Sequence, residues 1–95
     1  MDFLITFNST TASFKGDKLI ANMNKGVIHE IISVPYKLSE TCYGLGLKVS
    51  CDKELFREIF KMFNEEEIDY KRFWLKKEDE YVNITSALKE GENFE

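Results

Sequence analysis

Two cysteines, Cys42 and Cys51, have the most distinctive chemistry in this 95-residue chain. Cys42 stands in a loop bounded by Pro35 and Gly44, close to the point where a strand is predicted to begin. A cysteine thiolate is a nucleophile, and a thiol becomes more reactive where its pKa is lowered. The alternative is a partly buried cysteine that packs as a small hydrophobe. Residue type alone leaves both interpretations open.

An ionised thiol needs unpaired N–H donors nearby, and the first predicted helix supplies them. An apolar run at residues 3–7 is typical of a strand, and the polar residues 8–11 favour a helix N-terminus. The helix is expected to span residues 10–24. A helix N-terminus carries roughly half a positive elementary charge, which lowers the pKa of a nearby thiol. The donors expected around an anionic sulfur or selenium adduct are Ser9, Thr10 and the N–H groups at Gly44.

Hydrophobic periodicity predicts the remaining elements. Further strands are expected at residues 27–34, 44–50 and 71–76. Residues 81–84 are read as an extension of the last strand, and residues 77–80 between them could form a turn. A second helix is expected to begin at the N-cap Asp52. This order predicts an α+β fold, the ferredoxin-like βαββαβ plait, with an antiparallel four-stranded sheet and two helices on one face. In that fold the first strand's end, the first helix's N-terminus and the Cys42 loop meet at one edge.

One folded unit accounts for the whole chain. We predict a single domain at residues 1–88 and a flexible C-terminal tail at residues 89–95.

Gly16 lies on the apolar face of the first helix, and its expected role is close approach to the sheet beneath. Cys51 is expected next to the second helix, beyond disulfide reach of Cys42, in a structural role.

Composition excludes several classes of protein. Thirteen basic and seventeen acidic residues give a net charge of −4, which disfavours nucleic acid as a partner. No apolar run approaches the roughly 20 residues of a membrane helix, and the N-terminus does not resemble a signal peptide. We therefore expect a cytoplasmic protein with free thiols, no membrane partner and no cofactor. A lone histidine and two widely spaced cysteines also give no metal site.

The aromatic residues of the second half suggest a partner. They outnumber what one helix face can bury, so either the C-terminal strand packs across the helices or some rings face a second copy. On this ground the sequence predicts a homodimer. The residues are Phe56, Phe60, Phe63, Phe73, Trp74 and Tyr81.

Several short motifs together resemble a known family. They are Phe3-Leu4-Ile5-Thr6-Phe7-Asn8-Ser9-Thr10, Val34-Pro35, Leu38-Ser39, Cys42 and Gly44-Leu45-Gly46-Leu47-Lys48. This set resembles the small bacterial family described as selenium/sulfur carrier protein-like. Its members typically have a Ser-Thr turn after the first strand and a Cys-Gly before an alternating strand. The resemblance covers residues 3–75.

The resemblance implies a carrier protein and not a turnover enzyme. Cys42 would accept sulfur or selenium from a donor protein and deliver it to an acceptor enzyme. Lys37 and Lys48 stand where the family often has arginine, and Tyr43 separates Cys42 from Gly44. Lysine offers a point charge where arginine offers a two-pronged donor, so Lys37 and Lys48 would hold the anion less specifically. The alternative is a ferredoxin-like ligand-binding or protein-interaction module in which Cys42 is structural.

Overall fold

The computed structural model describes residues 1–38 and 44–94 of the chain. Cys42 lies outside the described residues. The elements in chain order are β1 (Asp2–Phe7), α1 (Thr10–Met23), β2 (Ile28–Ser33), a short 3₁₀ turn (Tyr36–Leu38), β3 (Leu45–Ser50), α2 (Lys53–Glu65), β4 (Tyr70–Lys77), β5 (Glu80–Asn83) and α3 (Thr85–Glu90).

The helix starts follow the capping residues in the sequence. The Ser9 hydroxyl accepts a hydrogen bond from the Ala12 N–H at 3.1 Å, and the Asp52 carboxylate accepts one from the Leu55 N–H at 2.7 Å. These caps satisfy first-turn amides that have no partner inside the helix. Among the helices that the described residues form, none has both the length and the apolar character needed to cross a bilayer.

The sheet is antiparallel and has five strands in the order β2-β3-β1-β4-β5. The α+β class and the antiparallel sheet are confirmed. The prediction of four strands and two helices is wrong, because β5 and α3 follow β4. Residues 80–83 turn back along β4 as a separate strand, with Lys77 opposite Glu80. Glu78 lies in this turn with a φ of 54°, a left-handed conformation. Glutamate rarely adopts this conformation, so its presence in a sequence does not predict a turn of this kind.

One face of the sheet, here called the helix face, carries the main core. Buried residues of all three helices pack there against Phe3, Ile5 and Phe7 of β1. The rings of Phe3 and Phe56 stack with their centroids 3.7 Å apart. Burial of such rings contributes most of the hydrophobic stabilisation in a domain of this size.

The opposite face, here called the open face, is covered in part by the segment that follows β2. Leu38 of the 3₁₀ turn packs on Leu4 and Trp74 in a small second core. The Trp74 indole N–H donates to the Thr6 hydroxyl at 3.2 Å, which satisfies a buried polar pair. The chain between β2 and β3 therefore leaves the sheet edge and lies across the open face before residue 39.

The aromatic residues pack within one chain. Phe56, Phe63 and Phe73 are fully buried, Trp74 is nearly so, and Phe60 and Tyr81 are partly buried against the two cores. The observation that motivated the homodimer is therefore accounted for by intrachain packing, and the dimer stays a prediction. Phe94 lies in the predicted tail and is also buried, with the Arg57 guanidinium 5.0 Å from its ring centroid. Flexibility of residues 89–95 likewise stays a prediction.

Gly16 is one of the buried residues of α1, on the apolar side of the helix where the sequence predicts it. A Cβ atom at this position would lie 2.9 Å from Cζ of Phe63 and 3.1 Å from Cζ of Phe7, a ring of β1. Both rings are buried and cannot swing aside. The predicted close approach is therefore present at Phe7 of the sheet, and it is tighter still at Phe63 of α2.

We expect Gly16→Ala to lower the free energy of unfolding by about 1–3 kcal/mol through overpacking. The change gains up to about 1 kcal/mol of helix propensity, so a net loss isolates the steric clash. Urea unfolding followed by Trp74 fluorescence measures it. The control is Ala21→Gly at an exposed position of α1, which reports propensity alone. An equally or more stable Gly16→Ala protein would show that the two rings relax freely.

Candidate functional site

The end of β1, the start of α1 and the start of β3 enclose a small pocket at one end of the sheet, here called the upper edge. Its volume is about 140 Å³. It is lined by Phe7, Asn8, Ser9, Thr10, Gly44 and Leu45. Three residues predicted as anion donors, Ser9, Thr10 and Gly44, thus lie together. The topology explains this, because β1 and β3 are antiparallel neighbours and Thr6 pairs with Gly46.

The polar groups of the pocket belong to the first turn of α1. The Ser9 hydroxyl is the acceptor for the Ala12 N–H, so its own hydrogen points elsewhere. The Ser13 hydroxyl donates to the Thr10 carbonyl at 2.6 Å, so this hydroxyl is bonded to the backbone of its own helix. The N–H groups of Thr10 and Thr11 have no acceptor among residues 1–38 and 44–94. The partial positive charge of a helix N-terminus is therefore open to this pocket.

Asn8 fixes the rim of the pocket. Its side-chain amide donates to the Asp69 carboxylate at 2.8 Å and to the Tyr70 carbonyl at 3.3 Å. Its backbone N–H donates to the Asp69 carbonyl at 3.2 Å. These bonds tie the end of β1 to the start of β4. The sequence around Asn8 predicts only a role at the helix start, because the partner that anchors this side chain lies 61 residues further along the chain.

Gly44 closes the base of the Cys42 loop. Its carbonyl accepts a hydrogen bond from the Val34 N–H at 3.0 Å, so both ends of the loop are joined. Its φ of +92° lies in the region that glycine adopts without steric cost. A side chain here would strain the backbone where β3 begins.

The two predicted lysines lie away from the pocket. The Lys37 ammonium donates to the Asp79 carbonyl in the turn between β4 and β5. Lys48 pairs with Leu4 in the middle of the sheet and is exposed on the open face. Lys48 lies four residue steps beyond Gly44, which is about 13 Å along an extended strand. Neither lysine lines the pocket at the upper edge.

Cys51 lies at the opposite end of β3. It is a half-buried free thiol, and its N–H donates to the Met1 carbonyl at 3.1 Å. Burial, and secondly the neighbouring Asp52 carboxylate, raise the pKa of the Cys51 thiol from 9.0 to about 11. Cys51 is therefore protonated at neutral pH and is a poor nucleophile there.

The remaining titratable side chains of the described residues form no cluster that resembles a metal site. His29 projects from β2 toward α1, where its Nδ1 lies 2.5 Å from the Asp17 carboxylate. Within the described part of the chain, no group of three or more histidine, cysteine or acidic residues is placed to hold a metal ion.

Comparison with known families identifies the chain. The family described as "Putative Se/S carrier protein-like" matches residues 2–75. The chain belongs to this family. The match runs from β1 into β4, so it includes every residue that lines the pocket, and Cys42 as well. No curated protein and no solved structure matches the chain.

Membership in the selenium/sulfur carrier family narrows the class of function without naming a reaction. The pocket at the upper edge is made by segments inside the matched span, whereas β5 and α3 lie beyond it. The family match therefore covers the segments that build the pocket and the Cys42 loop.

Proposed function

We propose that this protein carries sulfur or selenium on Cys42 as a persulfide-type anion and delivers it to an acceptor enzyme. The pocket at the upper edge, with its open α1 amides, is the observation that carries this proposal. Family membership supports a carrier role.

Chain connectivity links Cys42 to this pocket. Cys42 precedes Gly44 by two residues, and Gly44 lines the pocket. Because consecutive Cα atoms are 3.8 Å apart, two peptide links keep the Cα atoms of Cys42 and Gly44 within about 7.6 Å of each other. A cysteine side chain and one additional sulfur atom reach across much of that distance. The proposal therefore requires no movement of the described residues.

The transfer is a thiol exchange. The Cys42 thiolate attacks the outer sulfur of a persulfide on the donor protein. The new S–S bond forms as the donor's S–S bond breaks, and the donor leaves as a thiolate. Cys42 then holds the extra sulfur as an anion, which the N–H groups of Thr10 and Thr11 stabilise. An acceptor thiolate removes that sulfur by the same step, which regenerates the Cys42 thiolate.

The roles of the other residues follow from their positions. Ser9 retains a hydroxyl hydrogen that can be donated to the adduct, and Gly44 permits the backbone to approach closely. Lys37 and Lys48 act in this proposal as charges on the open face that attract an anionic donor or acceptor, since neither lines the pocket. Each transfer needs a second protein, so the partners are a sulfur or selenium donor and an acceptor enzyme.

The two cysteines provide matched variants for a direct test. The wild-type protein, Cys42→Ser and Cys51→Ser are each incubated with a cysteine desulfurase and cysteine, and then examined by intact mass spectrometry. We expect the wild-type protein and Cys51→Ser to gain the mass of a sulfur atom, because their Cys42 thiolate is intact. Cys42→Ser is expected to gain none.

A chemical control checks how the added mass is bound, and the pattern of uptake decides the assignment. Treatment with a thiol reductant is expected to remove the added mass, since an S–S bond holds it. Equal uptake by both variants, or uptake that depends on Cys51, would contradict the assignment. That result would favour a ligand-binding or protein-interaction module in which Cys42 packs as a structural residue.

A further inference from the structure

The edge strand β2 is open along its outer side. It is the first strand of the sheet order, so among the described residues only β3 pairs with it. The Val34 N–H bonds to the Gly44 carbonyl, and the register of the two strands continues that pair at every second residue. Ile28, Glu30 and Ile32 therefore direct their backbone groups toward β3. His29, Ile31 and Ser33 direct theirs outward, away from the sheet.

This edge lacks most of the features that usually prevent edge pairing. Natural edge strands are protected by charged side chains, lysine above all, by proline, by a bulge or by a very short length. Of these, β2 has a single acidic side chain, the exposed Glu30. β2 has six residues, contains neither proline nor lysine, and pairs in continuous register with β3 wherever the structure describes it. Ile28 is 72% exposed, the highest value among the large hydrophobic residues that the structure describes. An exposed apolar side chain beside open backbone donors is typical of a strand that pairs with another strand.

We infer that β2 pairs antiparallel with β2 of a second copy of this chain, and that the two sheets become continuous. A two-fold axis at Ile31 pairs Ile31 with Ile31 of the other copy. His29 then pairs with Ser33 of the other copy, in both directions. Every outward-facing residue of the strand thus exchanges N–H and C=O hydrogen bonds with another.

The side chains favour the same register. On the open face it sets the exposed Ile28 opposite Val34, and Glu30 opposite Ile32. Moving the axis to Glu30 would place two carboxylates directly opposite each other, which is destabilising. Moving it to Ile32 would place His29 opposite Pro35, which has no N–H to donate. Of these three registers, the one with the axis at Ile31 avoids both conflicts.

The expected dimer is weak and reversible. One strand pair buries less surface than a standard protein interface, so we expect a dissociation constant on the order of 10–100 µM. Sedimentation velocity over about 5–500 µM protein is expected to show a shift from monomer to dimer. A monomer throughout this range would overturn the inference.

Two variants at the edge test the interface without touching the core. Ser33→Pro removes an outward N–H from an exposed residue, and Ile28→Lys adds charge to an exposed position. We expect each to weaken dimerisation at least about tenfold. Val82→Lys is the matched control, since Val82 is 40% exposed on β5 at the other edge of the sheet. It should dimerise like the wild-type protein, whereas its loss of dimer with retention in the two β2 variants would place the contact at β5.

Disulfide formation tests the register. In a Cys42→Ser/Cys51→Ser background, Ile31→Cys pairs with itself across the axis, where Cα atoms of a hydrogen-bonded pair lie about 5.5 Å apart, within disulfide range. Ser33→Cys places the two thiols about 13 Å apart along the strands. A mild oxidant is expected to cross-link Ile31→Cys at least tenfold faster. Faster cross-linking of Ser33→Cys would overturn the proposed register.

Discussion

Phe73→Ala is expected to lower the free energy of unfolding by about 3–5 kcal/mol, the usual cost of removing a large ring from a packed core. Phe73 is fully buried at the centre of an aromatic cluster. Its ring centroid lies 4.6 Å from that of Tyr70, 5.2 Å from that of Phe60 and 5.7 Å from that of Phe56. The surrounding rings cannot all move inward, so a cavity remains. A loss of this size is a large share of the roughly 5–15 kcal/mol that stabilises a domain.

Phe14→Ala is the matched control for this experiment. Phe14 is on α1 but is 55% exposed. The same change of side chain should therefore alter stability by only about 0.5 kcal/mol. Urea unfolding with Trp74 fluorescence measures both variants, and circular dichroism checks their helix content. Similar losses in the two variants would contradict the assignment of the core to the helix face.

Much of the fold could be predicted because its signals are local. The apolar run of β1, the capping residues Ser9 and Asp52, and the periodicity of α2 each lie within one element. A turn at residues 77–80 could be read from the sequence, but the pairing of β5 back along β4 could not, because the reversal at Glu78 uses a positive φ without the glycine or asparagine that usually marks a hairpin. Helix α3 has six residues and no side-chain cap at Ile84, so it gives neither a period nor a start signal.

The site divides in the same way. That Ser9, Thr10 and Gly44 meet follows from strand order, and strand order follows from the sequence of elements. The position of Lys37 depends on its neighbour Leu38, which packs against Leu4 and Trp74 and draws the chain onto the open face. The position of Lys48 depends on the register of β3. A contact between residues so far apart in sequence has no local signature. Charge near Cys42 in the sequence therefore did not predict charge near the pocket.

Cys51 is expected to react with iodoacetamide at least about tenfold more slowly than free cysteine at neutral pH. Its thiol pKa is raised to about 11, mainly by burial. Two pKa units reduce the thiolate fraction about 100-fold, while the higher basicity of the thiolate restores about tenfold in nucleophilicity. The Cys42→Ser variant isolates this thiol. Its rate should keep rising as the pH approaches 11, whereas the rate of an ordinary cysteine levels off once the pH exceeds its pKa of 9.0.

The same shift has a consequence for stability. Because the folded state holds the Cys51 proton more tightly than the unfolded chain, its contribution to the free energy of unfolding is complete below pH 9 and is lost as the pH rises toward 11.

Asp52→Asn removes the neighbouring charge and keeps an N-cap, so it should raise the alkylation rate only slightly, burial being the larger cause. Unfolding in urea should restore the rate of free cysteine. A plateau below pH 9 in the folded variant would show that Cys51 is ionised readily, and it would then compete with Cys42 for sulfur. If the plateau is absent, alkylation of the wild-type protein at neutral pH reports mainly on Cys42, and comparison of its rate with that of free cysteine tests whether that thiol is activated.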